Sequence, residues 1–373
     1  MAASLRSAAV LTIDLDAIVA NWLELARRVA PGACAAVVKA DAYGLGAAQV
    51  AAALYRAGCR FFFVALMEEG IALRPVLPAD AVIHVLHGPL PGTELDCVEH
   101  GLIPVLNAPD QVQRYRALAQ RLDRVLPAAL QFDTGMARMG LQERELEQLA
   151  AQRDGWQGID VRLAMSHLVS AEEPDNPLNA LQLQRFERLR ALLPACPASL
   201  ANSSGIFLGG AYHFNLARPG AALYGVAPVP GRAHPLRSVI RLQARLLQVR
   251  DVGEGEGVGY NHTWQAARPS RIATVSVGYA DGYLRSLSNR ATLRFRGHDL
   301  PLVGRVSMDT VTVDVSRVPA NALQPGTFFD LIDEVQDINA LAAQAGTNAY
   351  EILTQLGHRY ERRHLGSSAG NLA

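Results

Sequence analysis

From the N-terminus to about residue 225, short apolar runs rich in Val, Leu and Phe alternate with longer amphipathic stretches. The runs at 35–38, 61–65, 81–86, 103–106, 128–132, 161–165 and 199–202 predict strands, and the stretches at 18–29, 47–57, 110–121, 143–151 and 178–193 predict helices. Strand and helix alternating this often, with each strand a buried apolar run, reads as a parallel β/α architecture. Seven or eight such units in about 225 residues fit a closed (β/α)8 TIM-type barrel better than an open sheet.

The texture changes near residue 228, where Pro228, Pro230, Gly231 and Pro235 punctuate the chain like a linker. Beyond it, β-branched and polar residues alternate at 239–249, 271–278, 291–295 and 310–315, separated by turns containing Gly and Asp. This is the pattern of a mostly antiparallel β domain. The expected division is a barrel over 1–232 and a C-terminal β domain over 233–373. Gly253, Gly255, Gly257 and Gly259 look superficially like a phosphate loop, but Glu254 and Glu256 would repel phosphate, so a turn is expected there. The basic run 359–364 contains Glu361 and reads as a solvated strand end, and the small polar residues at 366–373 predict a disordered tail.

Composition narrows the function classes. With 35 basic and 35 acidic residues the formal net charge is zero, which argues against a nucleic-acid partner. No apolar run approaches a membrane span. Cys34, Cys59, Cys97 and Cys196 are widely spaced and read as reduced residues of a cytoplasmic protein. His84, His87 and His100 have no accompanying ligand set, so no metal is expected. One count stands out. Of the 35 basic residues 34 are Arg, and Lys39 is the single lysine. A coding bias toward Arg accounts for the missing surface lysines, because the two are nearly interchangeable as solvated charges. They differ where chemistry needs an amine that can lose its proton, which makes Lys39 a candidate for amine chemistry.

Lys39 ends the apolar run 35–38 and so, in a β/α barrel, points toward the catalytic face. The run Val37-Val38-Lys39-Ala40-Asp41-Ala42-Tyr43-Gly44-Leu45-Gly46 resembles the pyridoxal phosphate attachment motif of the alanine racemases. Five further matches follow in that family's order. They are Asp133-Thr134-Gly135-Met136-Ala137-Arg138-Met139-Gly140, Ser166-His167, Ala201-Asn202-Ser203 with Arg218-Pro219-Gly220 and Tyr224-Gly225, Gly278-Tyr279-Ala280-Asp281-Gly282, and Gly304-Arg305-Val306-Ser307-Met308-Asp309. Spread over about 270 residues, they are together far more specific than any one alone.

The resemblance implies an enzyme that interconverts L-alanine and D-alanine with pyridoxal 5'-phosphate by two-base proton transfer at Cα, supplying D-alanine for peptidoglycan. It implies that Lys39 holds the cofactor and is the base on the D-substrate face, and that Tyr279 serves the L-substrate face. A free phenol has a pKa of about 10, so Tyr279 needs nearby positive charge or a relay, for which His167 is suited. Arg138 and the Met308 backbone are implied to bind the substrate carboxylate. The implied cofactor-binding set is Lys39, Tyr43, His167, Asn202, Ser203, Arg218, Gly220 and Ala221. The family acts as a head-to-tail homodimer in which Tyr279 and Met308 complete the partner's site.

The sequence departs from the family in two places. Many members carry a carbamylated lysine where Gln131 stands, and a neutral amide supplies no charge to Arg138. Either a direct Gln131 to Arg138 hydrogen bond or a bound anion is expected instead. Where many members place a tyrosine at the substrate entrance, this chain offers His358, with Tyr360 two positions away. Three rival readings differ in kind. A decarboxylase of the same architecture typically uses a cysteine in the second domain, yet all four cysteines lie at or before residue 196. A non-enzymatic cofactor carrier would lack the second domain. A broader-specificity serine racemase is the nearest alternative, because pocket size is set by side chains that motifs do not fix.

Overall fold

The computed structural model describes residues 6–152 and 155–366, so the tail at 367–373 lies outside the described residues. Two compact units appear: Ile18–Arg237 forms one, and the residues up to Ala17 with those from Ser238 onward form the other. No helix among the described residues is long and apolar enough to cross a membrane.

In the first unit, Ala36–Val37, Phe61–Val64, Val82–Val85, Ile103–Leu106, Leu126–Gln131, Ile159–Met165 and Ala198–Ser199 pair in parallel, each with the next in sequence. An eighth strand, Leu216–Ala217, closes the ring. It pairs in parallel with Ala33–Cys34, and its other edge is bonded by Asn215 N–H to Ala198 O and Arg218 N–H to Ala201 O. The helices between follow from their sequence. Pro109–Leu122 begins on a proline, carries Asp110 in its first turn and Arg121 in its last, and buries Val112, Tyr115, Leu118 and Ala119 on one face. Pro177–Arg190 starts in the same way, with the Asn176 side chain accepting from Leu178 N–H.

Inside the ring, Ala35, Val37, Phe63, Val105, Ala129, Leu163, Met165 and Leu216 form one apolar cluster. The pairs 35/37 and 163/165 show the two-residue period that turns alternate side chains inward. Each such Leu, Val or Phe contributes roughly 1.5–3 kcal/mol by leaving water. The packing fixes the strands, and the strand ends are what carry the chemistry.

The second unit is mostly antiparallel. Its long strand Ile240–Val252 pairs with Phe328–Ile332, with Ser270–Val275 and with Ala9–Asp14. The last of these differs from the sequence expectation, which left residues before 18 with the barrel. Ala9–Asp14 also pairs in parallel with Glu361–Leu365, so the basic run expected to end in solvent is instead a half-buried strand of this sheet. An isolated apolar run such as 9–13 announces a buried strand but carries no mark of its partner. The glycine-rich segment is a turn, as its acidic residues suggested: it leads into the hairpin Gly257–Val258 with Trp264–Gln265, and Glu256 accepts from Gly253 N–H at 2.6 Å.

His84 is a polar exception in the barrel interior. Its ring stacks on Phe63 with centroids 4.4 Å apart, and its Nδ1 has no hydrogen-bond partner. Burial, and then the charge of Arg218, push the imidazole down to about 3. The folded chain therefore keeps His84 neutral while the unfolded chain takes up a proton below about pH 6.5. This contribution to stability is complete above that pH and is lost as pH falls toward about 3. His84→Phe keeps the stack and removes the titration. Urea unfolding from pH 6.5 to 5 is expected to show a fall in stability shallower by up to about 1.4 kcal/mol per pH unit in the variant, and an unchanged slope would contradict this.

Candidate active site

Lys39 stands where the first barrel strand ends. The four residues after it, Ala40, Asp41, Ala42 and Tyr43, all have φ between 52° and 57°, a left-handed turn without a single glycine. Each such residue costs about 1–2 kcal/mol, so the turn needs support. It receives it from Ala42 N–H on Val38 O at 2.9 Å, Gly46 N–H on Asp41 O at 2.9 Å, Ala47 N–H on Asp41 Oδ1 at 2.7 Å and Ala40 N–H on Glu69 Oε1 at 2.6 Å. Desolvation lowers the pKa of the Lys39 amine from its usual value, Arg138 lowers it further, and Glu69 opposes them. The result is an amine biased toward its neutral, nucleophilic form.

Arg218 follows the closing strand and is only 4% exposed. One Nη donates to Ser199 Oγ, and the other donates to Ser166 O at 2.6 Å. Among the described residues no carboxylate pairs with it. Burial lowers its pKa to about 10, which leaves it protonated near neutrality. Next to Ser166, the His167 ring is pushed down to about 3 by desolvation and then by Arg218, Arg138 and Lys39. Three cations thus act on one neutral imidazole. Gln182, from a barrel helix, braces this strand end by donating to His167 O at 2.9 Å and to Thr134 Oγ1 at 3.1 Å.

Arg138 is carried by a loop built on Asp133, whose Oδ1 accepts from Gly135 and Met136 N–H at 2.8 Å each. Gly140, at φ 110°, closes the loop where an added Cβ would lie 2.8 Å from the Phe132 carbonyl carbon. Gln131 is buried and Arg138 exposed, and no hydrogen bond joins them among the described residues. Of the two supports expected for Arg138, the direct Gln131 contact is therefore not made.

Ser203, Gly220, Ala221 and Tyr43 form a cradle. Ser203 Oγ accepts from Gly220 N–H at 3.0 Å and from Ala222 N–H at 3.1 Å, which leaves its own proton free to be donated. A Cβ on Gly220 would fall 2.3 Å from the Tyr43 hydroxyl, so only glycine fits beneath that ring. Tyr43 packs on Tyr224 with centroids 4.9 Å apart, and burial pushes its hydroxyl up to about 12. Asn202 turns inward as a brace: its Oδ1 accepts from Gly205 N–H at 2.9 Å.

Tyr279 and Met308 are brought together in the other unit, 44% and 54% exposed. Tyr279 N–H donates to Ser307 O and Ala280 N–H to Met308 O, both at 3.0 Å. A Cβ on Gly278 would lie 2.3 Å from Met308 O, so the two loops can approach only at a glycine. Asp281 organises the turn. Its Oδ2 accepts from Gly278 N–H at 2.9 Å, and Arg359 binds both its oxygens while also reaching Asp309 at 2.7 Å. Tyr360, one of the two candidates for the entrance, is buried and donates to Asp281 O at 2.6 Å, so it is a brace of this turn; His358 is exposed. Sequence reasoning singled out neither Glu69 nor Arg359 for a role. An acidic residue early in a helix and an arginine in a basic run look like ordinary solvated charges.

A desolvated amine, two guanidinium groups and a hydroxyl-lined backbone cradle at one end of a barrel can hold an anionic carbonyl compound and attack it. Comparison with known proteins agrees. Residues 13–228 match the family described as alanine racemase, N-terminal domain, and residues 239–364 the family described as alanine racemase, C-terminal domain. An alanine racemase of Rhodospirillum rubrum is 51% identical over 367 residues, covering 98% of this chain and 98% of that protein. A protein of Mesorhizobium japonicum named as a catabolic alanine racemase is 49% identical over 358 residues, covering 96% of this chain and 93% of that protein. Among solved structures, the alanine racemase from Bartonella henselae with covalently bound pyridoxal phosphate has a TM-score of 0.93 at 43% identity and covers 96% of this chain and 100% of that chain.

The Asp281 clamp can be tested through stability. Asp281→Ala leaves Gly278 N–H without its acceptor and Arg359 with Asp309 alone, and is expected to cost about 1–3 kcal/mol in chemical unfolding. Asp281→Asn, which keeps an acceptor, should lose less. Equal midpoints for the parent and Asp281→Ala would contradict the assignment.

Proposed function

The chain belongs to the alanine racemase family and interconverts L-alanine and D-alanine, and from that premise we propose how its residues divide the reaction. The observation that carries the proposal is that the chain's single lysine, its amine desolvated beside Arg138, and the buried Arg218 both act on the same imidazole, His167. The residues present fit pyridoxal phosphate. Gly220 lets the Tyr43 hydroxyl approach where any Cβ would collide with it, Ser203 offers a hydroxyl proton, and Lys39, Arg138 and Arg218 all act on His167, with no carboxylate paired to Arg218 among the described residues. An anion with several acceptor oxygens and a ring nitrogen satisfies that set.

When bound, pyridoxal phosphate withdraws electrons from the Cα–H bond of the amino acid attached to it. The chain supplies everything else. Lys39 Nζ holds the cofactor and then gives or takes the Cα proton on the D-substrate face. Tyr279 Oη does so on the opposite face, since inversion needs one proton removed and another delivered from the other side. Arg138 steers the substrate carboxylate through its planar fork, with the Met308 backbone as a second contact. Arg218 keeps its proton and so acts at the ring nitrogen as a donor that is never consumed. His167, held neutral, is suited to pass a proton rather than store one. Tyr43, Asn202, Ser203, Gly220 and Ala221 hold or brace the phosphate cradle.

Tyr279 and Met308 are exposed side by side on a single chain, which supports the proposal that they complete the site of a second copy in a homodimer. We also propose a cytoplasmic enzyme whose D-alanine feeds peptidoglycan precursors, as the family resemblance implies. The relatives are named for alanine, which disfavours the serine alternative.

Two variants test the division of labour. Lys39→Arg keeps the charge and removes the nucleophile, so it should fold with native circular dichroism and show no racemisation; measurable turnover would contradict the role. Tyr279→Phe should lower racemisation by about 10²–10⁴-fold while D-alanine still exchanges its Cα proton in deuterated water, because Lys39 remains. Loss of exchange from both enantiomers alike would contradict a two-base division.

A further inference from the structure

Glu69 spends one carboxylate on three backbone N–H groups. It is the third residue of the helix Met67–Leu73, and its Oε2 accepts from Ala65 N–H at 2.7 Å and Leu66 N–H at 3.1 Å. Those two bonds are the usual reach of an early-helix glutamate back to its own helix start. The third bond differs, because Oε1 turns away to Ala40 N–H at 2.6 Å, across to the neighbouring strand end. The parallel ladder between these strands runs through Val38 N–H to Phe63 O at 2.9 Å. Continued by two residues, it would take Ala40 N–H to Ala65 O, but that carbonyl is occupied by His87 N–H at 3.1 Å. Glu69 therefore supplies the acceptor at the point where the ladder stops and the left-handed turn begins.

We propose that Glu69 is a positioning residue for Lys39: its carboxylate clasps the first peptide of the left-handed turn at 40–43 and thereby holds the amine in place at the strand end. The turn consists of four consecutive non-glycine residues in a conformation that side chains disfavour, so without the clasp it relaxes toward ordinary backbone angles and carries Lys39 with it. Glu69 also acts on Lys39 as a charge, opposing Arg138, and the test has to separate the two effects. The inference rests on Lys39 being the reactive amine.

Three variants of the holoenzyme separate clasp from charge. Glu69→Gln removes the charge and one strong acceptor. Glu69→Asp keeps the charge but is too short to serve both the helix start and Ala40. Both are expected to lower kcat by about tenfold or more with KM changed less than about threefold, and to speed amide hydrogen exchange in the peptide spanning 39–46 by about tenfold. Adding Ala40→Gly and Ala42→Gly to Glu69→Gln should recover at least about a third of the parent kcat, because glycine adopts these angles without strain. Parent-like kcat and exchange in Glu69→Gln would overturn the proposal. So would full activity in Glu69→Asp, or no recovery with the glycine pair, since either outcome points to charge instead. If Glu69→Gln does not fold, Glu69→Asp alone and with the glycine pair decides the same question. An active Lys39→Arg would instead show that the underlying site assignment has failed, whatever the Glu69 variants do.

Discussion

Positive charge gathered around one desolvated imidazole is the constraint on which the barrel's catalytic face depends. Lys39, Arg138 and Arg218 all act on His167, and among the described residues Glu69 is the carboxylate that acts on Lys39. Burying a cation without a partner is costly, and the folded chain bears that cost in a lowered lysine and a neutral histidine. What relieves it is an anion from outside. The phosphate and phenolic oxygen of pyridoxal phosphate and a substrate carboxylate would supply that negative charge at such a site.

The rest of the first unit holds those charges still. Strands closed into a ring by Leu216–Ala217 set the spacing of their own ends, and polar cross-braces then fix what projects from them. Arg218 is pinned by Ser199 and Ser166, the His167 backbone by Gln182, and the Arg138 loop by Asp133. Glycines appear where two groups must come closer than a Cβ permits. Gly220 lies beneath the Tyr43 hydroxyl, and Gly278 lies against Met308 O.

Much of this was legible in the amino-acid order, and what was not has identifiable causes. Buried strands such as 61–65 and 103–106 announce themselves because parallel strands are apolar on both faces. The single lysine marked its own importance because the surrounding composition had removed its competitors. Three features stayed hidden. Ala9–Asp14 is an apolar run like the others, and nothing in it says that its partners lie more than 200 residues later. The left-handed turn at 40–43 uses Ala-Asp-Ala-Tyr, with none of the glycines that normally betray such angles. Glu69 belongs to an unremarkable Glu-Glu pair, and its reach to Ala40 is a property of the folded ring, not of the local sequence.

The proposed chemistry turns on Lys39 as the amine that holds pyridoxal phosphate. Borohydride reduction of the purified protein, followed by peptide mass mapping, is the decisive measurement. A single reduced pyridoxyl phosphate adduct is expected, on the peptide that contains Lys39. An adduct confined to the N-terminal amine, or a protein purified with full racemase activity and no adduct at Lys39, would contradict it.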